Sequence, residues 1–221
     1  MKLKRLLSVL DVCECTADPE LDIRDISFDS RTTQPGDLFA AVCGYESDGH
    51  RFIGAAAERG AAVVLCQRKP EVEIPYILVA DSRLALSRIC CEFFDNPSRE
   101  LTMIGVTGTN GKTTVTTLIK HMLEQCLHTK VGLIGTNANV IGDEVLHTEH
   151  TTPDAYELQK LLRRMVDARG HGGVVALARA APCGGHPLPG GHLHEPVAGP
   201  SGLSQDHGGV CRGQGAAVCA E

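Results

Sequence analysis

Residues 101–114, LTMIGVTGTNGKTT, limit what this chain can fold into more than any other stretch. Leu101, Met103, Ile104 and Val106 form a short apolar run of the kind a buried parallel strand shows. Gly108, Thr109, Asn110, Gly111, Lys112, Thr113 and Thr114 follow directly, and residues 115–126 continue with helical spacing. Strand, glycine loop, lysine, hydroxyl and helix are the parts of a phosphate cradle. Glycines let backbone N–H groups approach phosphate oxygens, and the helix start adds its positive dipole end. On this reading residues 108–114 hold a nucleotide. Lys112 reaches the terminal phosphates as the catalytic side chain, and Thr113 puts its hydroxyl on Mg²⁺. The general pattern G-x-x-x-x-G-K-[ST] is missed by one residue, because Val106 stands where glycine is required. A glycine turn with a surface lysine is the plainer alternative. The strand before and the amphipathic helix after favour the nucleotide.

The totals bound the rest. A chain of 221 residues, 43% hydrophobic and 22% charged, has the composition of one or two soluble globular domains. A net charge of −6 with no basic run argues against nucleic acid as a partner. The first fifteen residues carry two lysines and an arginine, but their apolar part breaks at Asp11. They read as an amphipathic helix rather than a signal peptide. No apolar stretch approaches the roughly 18 residues of a membrane span, and a cytoplasmic protein is expected. The ten cysteines show no paired C-x-x-C spacing, and Cys66, Cys90 and Cys91 sit in apolar runs. Free thiols in a reducing compartment are the expectation.

Residues 1–97 read as a small α/β domain. A helix over 2–10 is followed by a strand through Ile23, Ile26 and Phe28, a turn at 34–37, and a strand over 38–42. Asp48 can cap a helix through Ala57, closed by Gly60. Residues 61–66 and 76–80 are strand-length apolar runs, and Asp81 caps a helix carrying Leu84, Leu86, Ile89, Cys90, Phe93 and Phe94. Residues 98–169 begin a second domain: the loop-bearing strand and helix, a strand over 130–136, a turn at Gly142-Asp143, and a helix opened by Pro153. Alternation of this kind predicts a doubly wound, mostly parallel sheet.

After Ala168 the composition changes. Residues 170–221 hold 13 of the 24 glycines and 5 of the 11 prolines, with no lysine, isoleucine, methionine, phenylalanine or tyrosine. Such a segment buries too little apolar surface to offset its ordering entropy, so disorder is expected. Its five histidines fit no common zinc spacing.

Four separated segments resemble MurE-type Mur ligases, the enzymes that add an amino acid to a UDP-N-acetylmuramoyl-dipeptide in peptidoglycan synthesis. They are ISFDSR with QPGDLFAAVCGYESDGHRFI, then IGVTGTNGKTT, then VGLIGT, then HTTPDAYELQKLL. The first is shared with the relative MurF, and the second is the Mur-ligase form of the phosphate loop, which accounts for Val106. The resemblance implies a UDP-sugar-binding amino-terminal α/β domain followed by the start of an ATP-binding central domain, in a monomer. It implies that Ser30, and more weakly Tyr45, contact the uridine nucleotide, that Thr151 and Thr152 contact the muramoyl peptide, and that residues 108–114 hold ATP with Mg²⁺. The amino acid added is L-lysine or meso-diaminopimelate. Ser30 capping a turn, Tyr45 packing in a loop, and Thr151 and Thr152 serving as helix N-caps stand beside these roles. His50 and His150 read as surface or cap histidines.

By the same resemblance a glutamate ligand for magnesium, a Ser-His segment, an Asn…Asp-His run and a carbamylated lysine should follow. The chain as written carries none of them. Reread one base out of frame with free wobble choices, residues from Leu193 onward allow FTNLSRDHLDFHRTMEEYAEAKARLF, and residues 177–180 allow Ser-His-Ala-Leu. A shift of reading frame between about Ala168 and Leu177 is therefore expected, leaving a truncated and inactive ligase. A non-catalytic UDP-sugar- or nucleotide-binding fragment, a MurF-type ligase and an unrelated P-loop NTPase remain as alternatives.

Overall fold

In the computed structural model the chain divides into two compact units, residues 1–95 and 96–221. The structure describes residues 1–44, 47–108, 110–128, 131–135, 138–142, 144–146, 153–169, 173–179 and 215–219, with backbone alone at 127, 169, 178–179 and 215–219.

The first unit is a five-stranded sheet in the order β1-β5-β4-β3-β2. Its strands are β1 (Val12–Cys15), β2 (Ile26–Ser27), β3 (Leu38–Ala40), β4 (Val63–Cys66) and β5 (Tyr76–Val79). β2 to β5 run parallel and β1 runs antiparallel on β5. The helices are α1 (Leu3–Leu7), α2 (Ile53–Glu58) and α3 (Ser82–Phe93). β4 is buried at every residue, as a central parallel strand must be when both faces are covered. The core runs through Phe39, Ala41, Ile53, Ala56, Val64 and Cys66. Asp81 caps α3 as the sequence predicts, its Oδ1 accepting from the N–H groups of Arg83 and Leu84 at 2.9 and 3.0 Å.

Three expectations shift here. The helix over 2–10 closes at Leu7, and the strand through Phe28 contracts to two residues. The helix expected from Asp48 opens as a 3-10 turn over Gly49–Phe52 before α2 begins. β1 carries no hydrophobic alternation strong enough to mark it; it exists because the edge of β5 is open to pair with it.

The second unit is a six-stranded sheet in the order β11-β6-β10-β7-β8-β9. β6 (Leu101–Thr107) leads into α4 (Lys112–Leu127), followed by β7 (Val131–Ile134), the hairpin strands β8 (Asn139–Ile141) and β9 (Glu144–Leu146), α5 (Ala155–Arg169), β10 (Gly173–Arg179) and β11 (Gly215–Cys219). β11, β6, β10 and β7 are mutually parallel; β8 and β9 turn antiparallel. This is the mixed α/β architecture the alternation predicts.

After residue 170 the described residues are two strands. Val174, Val175, Ala176 and Leu177 form a buried apolar run that inserts between β6 and β7. Gly215–Cys219 pairs with the other side of β6. β6 is therefore an interior strand, paired with β10 and β11. Composition averaged over 52 residues hid a local five-residue run. α5 packs Leu162, Met165 and Val166 against Leu101, Ile134, Val175 and Leu177. Arg163 ties it to Glu100, ahead of β6, at 2.8 Å.

No helix among the described residues is long and apolar enough to cross a membrane. The seven described cysteines are all free; Cys66, Cys90 and Cys91 are buried and Cys13, Cys15, Cys43 and Cys126 exposed. Burial pushes the Cys66 thiol up to about 11. Because the thiolate is the nucleophile, a maleimide should label Cys13, Cys15, Cys43 and Cys126 in the native chain. Cys66, Cys90 and Cys91 should label only on unfolding, as peptide mass mapping would read.

Candidate functional site

The carboxyl end of a parallel sheet is where α/β folds place ligands, and β6 delivers its glycine loop there. Gly108 has φ +153° and Gly111 φ +75°, conformations that L side chains rarely adopt, so the two glycines make the turn possible. Gly111 is the N-cap of α4 and offers no side chain to its first turn. A sixteen-residue helix therefore opens toward the loop with no side-chain acceptor from its own cap.

Lys112 is half-buried and folds back: its Nζ donates to the Gly108 carbonyl at 2.6 Å. The ammonium is thereby held over the loop rather than extended into solvent. The fully buried Thr116 hydroxyl lies one turn on, 2.9 and 3.0 Å from the carbonyls of Lys112 and Thr113, and stiffens the first turn. At the other end α4 closes at His128 in the left-handed region, φ +48°. Glu124 there accepts the Val131 N–H at 3.0 Å, linking the helix end to the next strand. Sequence reasoning placed Gly108, Asn110, Gly111, Lys112, Thr113 and Thr114 together, and they lie together on this loop and helix start. Thr109 lies outside the described residues.

A magnesium ion fits this loop only in part. Thr113 offers one hydroxyl, and the described residues hold no cluster of three metal-ligating side chains beside it. That donor set suits Mg²⁺, which keeps waters and takes oxygens from nucleotide phosphates rather than from an all-protein cage.

In the first unit Ser30 is buried at the turn after β2. Its neighbour Asp29 makes the turn. Asp29 accepts from the Arg31 N–H at 2.9 Å and from the Arg31 guanidinium at 2.7 Å, and its carbonyl accepts from Thr32 and Thr33. The Arg31 guanidinium, then its N–H, hold the Asp29 carboxyl below the usual range. Turn-capping thus falls to Asp29, which leaves Ser30 without that task. Tyr45, Thr151 and Thr152 lie outside the described residues, as does His150. The N-cap of α5 is Asp154, whose Oδ1 accepts the Glu157 N–H at 2.8 Å. Capping, the plainer role considered for Thr151 and Thr152, is therefore filled by another residue.

Sequence reasoning missed His50. Its side chain is 9% exposed, its Nδ1 lies 2.7 Å from Asp48 Oδ1, and its Nε2 accepts the Gln67 N–H at 2.9 Å. The signal was Asp-Gly-His at the start of a short helix, which predicted a cap but not a buried imidazole. Asp48 also takes the His50 N–H at 3.1 Å and the Arg68 guanidinium. The His50 backbone and imidazole bonds hold the Asp48 carboxyl well below the usual range. A cavity of about 780 Å³ opens beside this group, lined by Asp48, His50, Arg51, Arg68, Lys69 and Val72 among others.

Known proteins carry the same two units. Residues 22–93 match the model of the Mur ligase family catalytic domain, and residues 106–178 that of the Mur ligase middle domain. The UDP-N-acetylmuramoyl-L-alanyl-D-glutamate–2,6-diaminopimelate ligase of Bacteroides fragilis is 44% identical over 170 residues, covering 76% of this chain and 35% of that protein. The ligase of the same name from Clostridium tetani is 43% identical over 173 residues, covering 76% and 36%. The chain thus spans about a third of the length of these relatives. A solved ligase of that name superposes with a TM-score of 0.65 at 24% identity, covering 81% of this chain and 36% of that one. MurF from Acinetobacter baumannii superposes at 0.57 and 22%, with the same coverage. At these identities the superpositions establish the fold.

Lys112→Met should weaken ATP affinity about tenfold or more, by loss of a charge-assisted contact. Titration with a fluorescent ATP analogue reads this, and an unchanged far-UV spectrum shows the fold is kept. Acid should destabilise the first unit. Asp48 and Asp29 have folded-state values depressed below about 3.9, so their contribution is full above that pH and fades as pH falls through it toward the folded values. Asp48→Asn should flatten the fall in unfolding midpoint between about pH 5 and 2, as thermal melts across that range would measure.

Proposed function

This chain belongs to the Mur ligase family, and on that premise we propose that it is the amino-terminal part of an ATP-dependent UDP-N-acetylmuramoyl-dipeptide ligase of the MurE type. What carries the reading is the glycine loop and Lys112 at the carboxyl end of β6, in a chain over 40% identical to ligases named for diaminopimelate addition. The MurF likeness is one of fold alone, so the MurE type is the better reading.

The first unit takes the UDP part of the substrate, with Ser30 and Tyr45 as contacts, and Thr151 and Thr152 meet the muramoyl peptide. Residues 108–114 take ATP. The γ-phosphoryl group passes to the D-glutamate carboxylate, giving an acyl phosphate and ADP. The amine of the incoming diaminopimelate or lysine then attacks the acyl carbon, and phosphate leaves. Such chemistry asks mainly for positioning and charge stabilisation. Lys112, released from the Gly108 carbonyl, neutralises charge developing on the β- and γ-oxygens, and the α4 start adds its dipole. Mg²⁺, reached by Thr113, would supply further charge neutralisation on the phosphates. A net charge of −6 suits a small-molecule enzyme rather than a nucleic-acid binder.

Within the 221 residues the Ser-His segment, the Asn…Asp-His run and the lysine that the family sets against ATP are not encoded in this frame. The chain by itself is accordingly a binding protein for UDP-sugar and nucleotide without ligase turnover. The purified chain should bind UDP-N-acetylmuramoyl-L-alanyl-D-glutamate yet release no phosphate in response to diaminopimelate or lysine, while the alternate frame of the gene encodes the missing segment. Turnover near 1 per second, within the ordinary enzyme range, would overthrow the inactive reading. Absence of any binding of that substrate would favour an unrelated NTPase.

A further inference from the structure

β8 begins with a polar residue in an apolar setting. Asn139 is fully buried, opposite Ile134 of β7 on one side and Leu146 of β9 on the other. Directly opposed residues of an antiparallel pair share a face, and so do alternate residues of one strand. Ile134, Ile141 and Leu146, which share the face of Asn139, all pack into the cluster that holds Leu162, Met165 and Val166 of α5. Asn139 thus belongs to the face that α5 covers. Neither end of its amide, Nδ2 or Oδ1, has a hydrogen-bond partner.

Gln159 of α5 comes to the same level. Arg163 reaches Glu100, just ahead of β6, so α5 runs from the carboxyl end of the parallel strands toward their amino end. Met165 lies directly over Gly132 of β7, where a Cβ would stand 2.7 Å from its sulfur. The six residues back from Met165 to Gln159 rise about 9 Å toward the carboxyl end. The two residues on from Gly132 to Ile134, the partner of Asn139, rise about 7 Å the same way. Gln159 is 1% exposed, and its Oε1 also has no partner. Among the described residues, the buried side-chain atoms left unpaired are these three, on two packed elements at one height.

Buried polar atoms without partners are destabilising, so three together need an occupant. Turning the Asn139 amide over exchanges its ends and leaves both unpaired. A direct bond from Asn139 Nδ2 to Gln159 Oε1 would satisfy two atoms and still strand Oδ1. A hard cation asks for six or so oxygens, and two amides supply two. We propose that one water molecule is bound between Asn139 and Gln159, linking β8 to α5. Its oxygen accepts from Asn139 Nδ2, and its hydrogens go to Asn139 Oδ1 and Gln159 Oε1. An amide edge presents N–H and C=O side by side, so one water can engage both. Three bonds is the usual number for a buried water. The bridge ties the early turns of α5 to the β8–β9 hairpin at the carboxyl end of the sheet, the end to which β6 delivers its glycine loop.

Water-selective nuclear Overhauser spectra of the isotopically labelled 221-residue chain test this. The Asn139 side-chain amide, assigned from its loss in Asn139→Val, should show a cross-peak to water of the sign that tightly held water gives. Rotating-frame spectra separate that peak from proton exchange. Thermal melts give a second reading. Asn139→Val expels the water and strands Gln159 Oε1, so the midpoint should fall by about 2–8 °C. Adding Gln159→Met removes the stranded atom and should recover most of the loss. A midpoint that rises in Asn139→Val would mean the amide was unpaired in the parent, which overturns the proposal. An absent water cross-peak in the parent also overturns it, since direct pairing of the two amides gives the same melts without one. Should Asn139→Val not fold, through-bond assignment from the Asn139 backbone lets the parent's cross-peak decide alone.

Discussion

Everything in the second unit depends on β6 being paired on both sides. A loop turned by glycines in conformations open to few other residues has little rigidity of its own, so the rigidity has to come from what precedes and follows it. β10 and β11, on either side of β6, supply it ahead of the loop, and α4 supplies it behind. The register of β10 on β6 runs the whole strand, from Gly173 against Leu101 to Arg179 against Thr107. The last hydrogen-bonded residue of β6 is therefore the one immediately before Gly108. A mobile loop with a fixed root can bind; one with a fraying root would have to be ordered at each encounter.

The two units solve related problems differently. In the second, a helix terminus and a lysine carry the electrostatics of the site, and the backbone does most of the presenting. In the first, the hairpin after β3 has no long helix behind it, and α2 is only six residues. Its order comes from side chains instead, with Asp48 acting as a common acceptor for groups on its own loop and on the loop after β4. A nearly buried imidazole is costly unless its polar atoms are paired, and here it is satisfied at both nitrogens.

Much of this was legible in the residues. The glycine turn before α4, the Asp81 cap and the run of parallel strands follow from glycine spacing, side-chain capping chemistry and apolar period. Boundaries were less so: the segment after Asp48 reads as one helix, but its first turn is 3-10, with the Asp48 carboxylate accepting from the His50 N–H and facing its imidazole. The burial of the His50 imidazole is not legible in its own segment. Its burial is created by Gln67 and Arg68, seventeen and more residues away, and no local pattern encodes that. β10 was obscured by its neighbours, since a glycine- and proline-rich average conceals Val174 to Leu177, and only the gap between β6 and β7 reveals their use. Pro153 marks the start of α5 in the sequence, but the cap is the residue after it, Asp154.

The bond from Lys112 to the Gly108 carbonyl has a further consequence. An arriving anion does not meet a waiting cation; it meets one already engaged, and must replace a 2.6 Å partner before it gains the lysine. Water or a weak monovalent anion has little to set against that internal bond. A polyphosphate, which brings several oxygens and can use the helix start at the same time, exchanges one carbonyl for many acceptors. If the loop takes ATP as proposed, Lys112 makes it a threshold device, graded by ligand charge before any question of base or sugar arises.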